Sequence, residues 1–118
     1  MPTDLDPFLP LSFAAQHILL ALSDEDRHGY GIMQEVARQS DGKYKLGSGT
    51  LYDNLEKLID QGLVIEASRR SAKDDPRRRY YRLTALGRRV FSAEVTRLEG
   101  VVRDARLRLR GTRPKEAT

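Results

Sequence analysis

Near the C-terminal end of the chain, apolar residues recur at alternating spacings of four and three positions. This is a heptad pattern, and it lies in a segment that we predict to be helical from Thr84 to Arg110. Such a helix spans roughly 40 Å, which is longer than a domain of this size can cover, so its apolar seam needs a partner helix. The residues that we assign to a dimerisation seam are Phe91, Val95, Leu98, Val102, Ala105 and Leu109. Within it, Gly100 marks either a close helix crossing or a simple irregularity.

The length and composition exclude several classes of protein. A chain of 118 residues fits one compact domain with at most one added element. The absence of cysteine excludes disulfide-stabilised secreted scaffolds, zinc–thiolate sites and thiol nucleophiles. Two histidines, His17 and His28, do not suffice for a metal site, so we expect neither metal nor cofactor. The N-terminal stretch has no basic export signal, and the apolar run after it is too short to cross a bilayer, which predicts a cytoplasmic protein without a membrane partner.

Three short amphipathic helices are predicted before the long one. They cover residues 11–22, 30–39 and 50–61, where apolar residues recur at helical spacing. Ser12 is a candidate N-cap for the first helix, and Ser48 or Gly49 for the third. Gly62 stands where a left-handed residue is expected to end the third helix.

Two β-prone runs follow, at residues 63–68 and 79–83, separated by a charged turn. They predict a β-hairpin with a long basic tip. Three helices, a two-stranded ribbon and a long helix are the order of an α+β winged helix-turn-helix with a C-terminal extension. We therefore assign residues 1–83 to a DNA-binding domain, 84–110 to a dimerisation helix and 111–118 to a flexible tail.

The third helix has one apolar and one polar face. Leu51, Leu55, Leu58 and Ile59 form the apolar face, and for a lone helix the opposite face would usually be just a solvated surface. In a helix-turn-helix protein, however, the N-terminal residues of this helix enter the major groove. Asn54 is suited to reading adenine, and Thr50 to contacting a base or a thymine methyl. The candidate DNA-contacting residues on this face are Ser48, Thr50, Tyr52, Asp53, Asn54 and Lys57.

The positive charge of the chain is concentrated in the predicted wing. The net charge is only +4, yet residues 69–82 contain seven basic and two acidic residues. Arginine binds phosphate through two parallel hydrogen bonds and stays charged at physiological pH. A wing of this kind beside a polar helix face favours duplex DNA as the partner. The phosphate-contacting candidates are Arg69, Arg70, Lys73, Arg77, Arg78 and Arg79 in the wing, with Lys43 and Lys45 before the third helix.

The remaining aromatic and histidine side chains receive mainly packing roles. Tyr80 and Tyr81 are adjacent on a strand, so we expect one to face the core and the other to face outward. For Tyr52, a phosphate contact and plain packing are equally plausible. We expect His28 to cap or pack at the start of the second helix, and His17 to lie on the exposed flank of the first.

Three motifs in this order resemble the PadR family of bacterial transcriptional regulators. They are HGYGI at residues 28–32, GTLY at 49–52 followed by Leu55, Leu58, Gly62 and Leu63, and RYYRLT at 79–84 followed by Gly87. The likeness covers roughly residues 11–110, and the single C-terminal helix resembles the small subfamily. It implies a winged-helix homodimer, usually a repressor, with Thr50, Leu51 and Tyr52 in the recognition helix and Arg79, Tyr80 and Tyr81 in the wing strand. Some relatives bind phenolic acids or planar drugs at the dimer interface, in certain cases by stacking on tryptophan, which this chain lacks. The resemblance thus leaves open a small-molecule effector and does not indicate which one.

Two other classes of function compete with this interpretation. An enzyme is poorly supported, because no nucleophile–base set, phosphate-binding loop with its lysine or metal cluster is present in the sequence. A winged helix that binds protein or RNA is the more serious alternative, since the fold alone does not exclude it. The polar helix face combined with a basic wing favours duplex DNA.

Overall fold

The computed structural model describes residues 3–67 and 78–111, and within them it confirms the α+β fold with its winged helix-turn-helix order. A single 3-10 turn, Asp6–Phe8, precedes the first helix. The remaining elements are α1 (Phe13–Ala21), β1 (Arg27–His28), α2 (Gly29–Gln39), α3 (Ser48–Asp60), β2 (Val64–Ala67), β3 (Tyr80–Leu83) and α4 (Ala85–Gly111).

Local sequence signals explain most of the helix boundaries. The Ser12 hydroxyl accepts the Ala15 N–H at 3.1 Å and caps α1, as predicted. Gly62 has a φ of 79° and ends α3 in the left-handed conformation. The prediction for the start of α3 was wrong, because the N-cap is Gly47 rather than Ser48 or Gly49. The extended backbone of Gly47 already provides the turn into the helix, so the helix begins at Ser48.

The core lies where the three short helices meet the sheet. Ile18 and Leu19 of α1, Ile32 and Val36 of α2, and the apolar face of α3 are buried together with Leu63 and Val64. Burial of such side chains is the main source of stability in a domain of this size. His17 is half-buried rather than exposed, because its ring contacts Phe13 and Tyr44 at centroid distances of 4.3 and 5.2 Å.

Within the described residues the sheet has three strands, rather than the two predicted, in the order β1-β3-β2. The segment before α2 contains a strand of two residues, in which Arg27 pairs with Tyr81 and His28 pairs with Tyr80. A strand this short shows no periodicity in a sequence, which is why it was missed. β3 is therefore the central strand, and both of its adjacent tyrosines are buried. The expectation that one of them faces outward was wrong: the strand places them on opposite faces, and the His28 ring lies edge-on against Tyr80 at 5.4 Å.

The long helix α4 has a buried first half and an exposed second half. The Thr84 hydroxyl accepts the Gly87 N–H at 2.9 Å and caps the helix. Gly87, Val90 and Glu94 are buried, and Phe91 is half-buried against the core of its own chain. Beyond Gly100 every described residue of α4 is exposed, so this half of the helix projects from the domain.

Candidate nucleic-acid interface

The first turns of α3 form an exposed polar surface, because the helix buries only one side. Leu51, Leu55 and Leu58 point into the core, and five of the six polar candidates are exposed, Asn54 being half-buried. With 3.6 residues per turn, Asp53 lies almost opposite Leu51, on the side of the helix that faces away from the core. The exposed candidates are Ser48, Thr50, Tyr52, Asp53 and Lys57.

The structure divides these candidates between two flanks of α3. Asn54 and Lys57 line a depression beside Leu11 and Ser12 near the start of α1. The Asn54 amide also donates to the Thr50 carbonyl oxygen at 2.8 Å, so part of its hydrogen-bonding capacity is used within the helix. Tyr52 lies on the other flank, toward α2 and the wing. The six residues therefore do not form one reading face.

The second half of α3 is acidic on its outer side. Glu56 and Asp60 form an acidic row there, four residues apart, and both are exposed. Such a row repels the phosphate backbone, so only the N-terminal turns of α3 are suited to close approach to a nucleic acid.

A cleft opens between the start of α2, the first turns of α3 and the root of the wing. It has a volume of about 440 Å³ and is lined by His28, Gly29, Tyr30, Tyr52, Arg78, Arg79 and Tyr81. The Tyr52 hydroxyl lies directly against Gly29, where a Cβ would overlap it. Only glycine allows this approach, and it joins α3 to the start of α2. Burial raises the pKa of Tyr81, whose phenol is therefore neutral at physiological pH.

The arginines around the cleft have distinct surroundings. A guanidinium nitrogen of Arg78, Nη1, lies 2.7 Å from Nε2 of His28. Arg79 pairs with Glu66 on β2 at 3.4 Å, and both side chains are largely exposed. Arg82 differs because it forms a bidentate pair with Asp26, which holds the loop before β1 against β3. Hydrogen bonding to Asp26 raises the pKa of Arg82.

Some of the predicted basic residues cannot be placed. Arg69, Arg70, Lys73 and Arg77 lie outside the described residues. Lys43 and Lys45 are exposed in the connection between α2 and α3, which the buried Leu46 anchors to the core. Both lysines therefore lie near the exposed N-terminal turns of α3, as predicted.

The predicted seam on α4 divides between two environments. Phe91 packs on its own domain, whereas Val95, Val102 and Leu109 are 39%, 48% and 81% exposed. Val95, Leu98 and Val102 form an apolar strip flanked by Glu99, Arg103 and Arg106. An uncovered strip of this kind marks a surface suited to association.

Sequence reasoning missed the polar group that attaches α4 to the N-terminal segment. Glu94 is fully buried; it accepts the backbone N–H of Leu11 at 3.0 Å and pairs with Arg97 at 2.6 Å. The side-chain hydrogen bond from Arg97 and the backbone hydrogen bond from Leu11 hold the pKa of Glu94 below its ordinary value, against the effect of burial. Glu94 follows Val90 by four residues, which places both on the same face of the helix. This spacing could have predicted from the sequence that Glu94 is buried.

Together, the helix order, the exposed N-terminus of α3 and the arginine-lined wing root define a winged helix-turn-helix DNA-binding protein. Residues 18–93 match the transcriptional regulator PadR-like family, and the chain belongs to that family. It is thus a DNA-binding transcriptional regulator and not an enzyme. Within the described residues, no helix has the length and apolar character needed to cross a bilayer.

Individual relatives agree with this assignment. The chain is 34% identical to the transcriptional regulator Rv3488 of Mycobacterium tuberculosis over 88 aligned residues. The alignment covers 75% of this chain and 78% of that protein. Its fold resembles a transcriptional regulator from Clostridium thermocellum, with a TM-score of 0.68 at 22% identity over 90% of this chain and 95% of the other. A PadR family transcription regulator from Clostridium difficile gives a TM-score of 0.66 at 21% identity, covering 83% and 99% of the two chains.

Proposed function

We propose that this protein is a sequence-specific repressor that binds a pseudo-palindromic operator as a homodimer in the cytoplasm. The observation that carries the proposal is the exposed polar N-terminus of α3 beside the arginine-lined cleft. Base edges are read by short polar side chains in the major groove, while phosphates are held by cations at its borders. This surface offers both kinds of group side by side.

The residues that read the base sequence of the DNA lie in the first turns of α3. Thr50 and Asp53 are exposed there, whereas Asn54 is half-buried and bonded to the helix backbone. A carboxylate accepts a hydrogen bond from the amino group of cytosine, so Asp53 favours a C·G pair at its position. The acidic row of Glu56 and Asp60 keeps the second half of the helix away from the phosphates.

Dimerisation is supported by the apolar strip on α4. Val95, Leu98 and Val102 present a seam at heptad spacing that the described part of the chain leaves partly exposed. Pairing two such helices around a twofold axis would bring two copies of α3 to successive major grooves, about 34 Å apart. A repressor of this type occludes its operator when both α3 helices bind. The two half-sites of the operator are then related by the same twofold axis as the two subunits.

The test begins with selection of binding sequences from a pool of random DNA duplexes. The selected duplex and a scrambled one are then compared by fluorescence anisotropy at low and near-physiological salt. We expect the selected site to contain an inverted repeat and to bind at least about 10³-fold more tightly than the scrambled duplex.

An RNA duplex of the same sequence is the matched control, because it keeps the charge but changes the groove shape. Equal, salt-sensitive binding to all three molecules would mean that only the phosphate backbone is recognised. A complete lack of DNA binding at low salt would overturn the proposal in favour of a protein-binding winged helix. Repression is tested separately, with a reporter gene placed behind the selected site.

A further inference from the structure

We infer that α4 pairs with α4 of a second copy in antiparallel orientation, and that Glu99 forms an ion pair with Arg106 of the partner subunit. The inference rests on the homodimer of the proposed function and deepens it by naming the two charges that select the partner and its direction. It follows from the position of these charges beside the apolar strip, from their surroundings within the chain and from the symmetry of a twofold pair.

Glu99 and Arg106 lie on the same flank of the apolar strip. Val102 stands at heptad position a and Leu98 at position d. Glu99 and Arg106 then both occupy position e, two helical turns apart, and both line the groove beside the strip. Each protomer therefore presents both members of an ion pair along one edge of the surface that its partner would cover.

Neither charge is used within its own chain. Glu99 and Arg106 are exposed, and within the described residues neither side chain has an ion-pair or hydrogen-bond partner. Other charges on the same helix are paired locally: Arg97 with Glu94 at 2.6 Å, and Arg108 with Asp104 at 3.2 Å. The two charges that border the apolar strip are thus the ones left available to a partner helix.

The charges next to the seam distinguish the two directions of pairing. In a parallel pair, position e lies beside position g of the partner, so Glu99 would face Glu94 and Arg106 would face Val101. The first of these contacts joins like charges, and the second leaves the arginine without a partner. In an antiparallel pair, the flank that carries Glu99 and Arg106 runs along the same flank of the partner in reverse order. The opposite-charge contact then forms twice, once on each side of the twofold axis.

The pairing is tested by sedimentation of the full chain at several protein concentrations. E99R leaves two arginines on the flank and R106E leaves two glutamates, so both contacts of either homodimer join like charges. We expect each variant to raise the dimer dissociation constant about tenfold. In an equimolar mixture of the two variants, opposite charges meet in both contacts. Heterodimers should therefore exceed the statistical proportion, which native mass spectrometry measures from the different masses of the chains.

The control variant is R103E, which makes the same change of charge as R106E at heptad position b, further from the seam. It should dimerise like the wild type, and equal damage by R103E would mean that net charge rather than pairing matters. A parallel pair would be tightened by E99R, because the new arginine would face Glu94. That result, or a mixture with only the statistical share of heterodimers, would overturn the antiparallel pairing and leave the homodimer intact. A wild type that sediments as a monomer would overturn both, whereas DNA selectivity is judged separately by the duplex experiment.

Discussion

The carboxylate of Glu94, fully buried on α4, accepts the backbone N–H of Leu11 from a segment 83 residues earlier in the chain. Arg97, one turn further along α4, donates to the same carboxylate at 2.6 Å. A buried charge costs free energy unless it is paired and hydrogen-bonded, and this one has both kinds of partner. The contact fixes the long helix relative to the first one, and thereby the direction in which the helix leaves the domain.

Replacing Glu94 by glutamine should make the protein less stable in a pH-dependent manner. The pKa of Glu94 is lowered in the folded state, so its contribution is complete above its ordinary value of 4.5 and is lost as the pH falls through the folded-state pKa. We expect E94Q to lose about 1–3 kcal/mol of unfolding free energy near pH 7, as for a broken buried hydrogen bond to a charged group. The difference from the wild type should shrink below pH 4.5 in urea titrations. Glu99 is exposed on the same helix, so E99Q should show almost no difference, and a pH-independent gap for E94Q would contradict the assignment.

The packing of α4 on the sheet also predicts a severe effect at Gly87. A Cβ there would overlap the carbonyl oxygen of Leu63, which accepts the Thr84 N–H at 3.0 Å. Because that oxygen belongs to the backbone, the helix itself must move, and we expect G87A to cost about 1–3 kcal/mol or more of unfolding free energy. Thermal unfolding with a matched G100A variant provides the measurement.

Gly100 is the matched site because, apart from its own stretch of helix, no described residue has an atom within 4 Å of the Cβ that would be added there. Alanine in mid-helix should therefore stabilise α4 by up to about 1 kcal/mol. Dimer formation should be unchanged. Loss of the dimer in G100A would instead show that the partner helix crosses at this glycine.

Charged residues in the apolar strip should separate the proposed dimer without unfolding the domain. Val102 is 48% exposed, so V102D removes no core packing, but an aspartate facing a partner helix would be desolvated without a partner. We expect V102D, alone or with L98D, to sediment as a monomer and to bind the operator far more weakly. Val101 is adjacent, 54% exposed and off the seam, so V101D should remain dimeric. If L98D/V102D keeps the sedimentation mass of the wild-type dimer, the hypothesis that this strip is the dimerisation seam is wrong.

Phosphate-binding and base-reading residues should respond differently to substitution. Lys43 and Lys45 are exposed beside the start of α3, so K43Q/K45Q should weaken binding to all duplexes alike. The dependence of log Kd on log salt should flatten by about one unit per lost phosphate contact. By contrast, D53A should mainly change which base pair is preferred at one position. A selective loss on one operator for the lysine variant would reverse these roles.

Much of this protein was predictable because its helices depend on local signals. Apolar spacing located the helices α1 to α4, Ser12 and Gly62 were predicted from their positions to cap or end a helix, and capping was one of the two roles expected for His28. Each of these features involves residues within one or two turns of each other, so the sequence order is enough to reveal it. The three motifs HGYGI, GTLY and RYYRLT indicated the PadR family, and the family in turn implies the winged-helix order of elements.

The features that only the tertiary structure decided depend on residues far apart in the chain. β1 exists because β3 pairs with it, and both Tyr80 and Tyr81 on that central strand are buried. Glu94 lies on the buried face of α4, and its carboxylate is satisfied there by Arg97 and by the N–H of Leu11, which lies 83 residues away in the chain. The approach of Tyr52 to Gly29, and of Arg78 to His28, likewise comes from separate elements packing together. The spacing of apolar residues indicates which side of a helix or strand is buried. Which other element covers that side is determined by the packing of the whole chain.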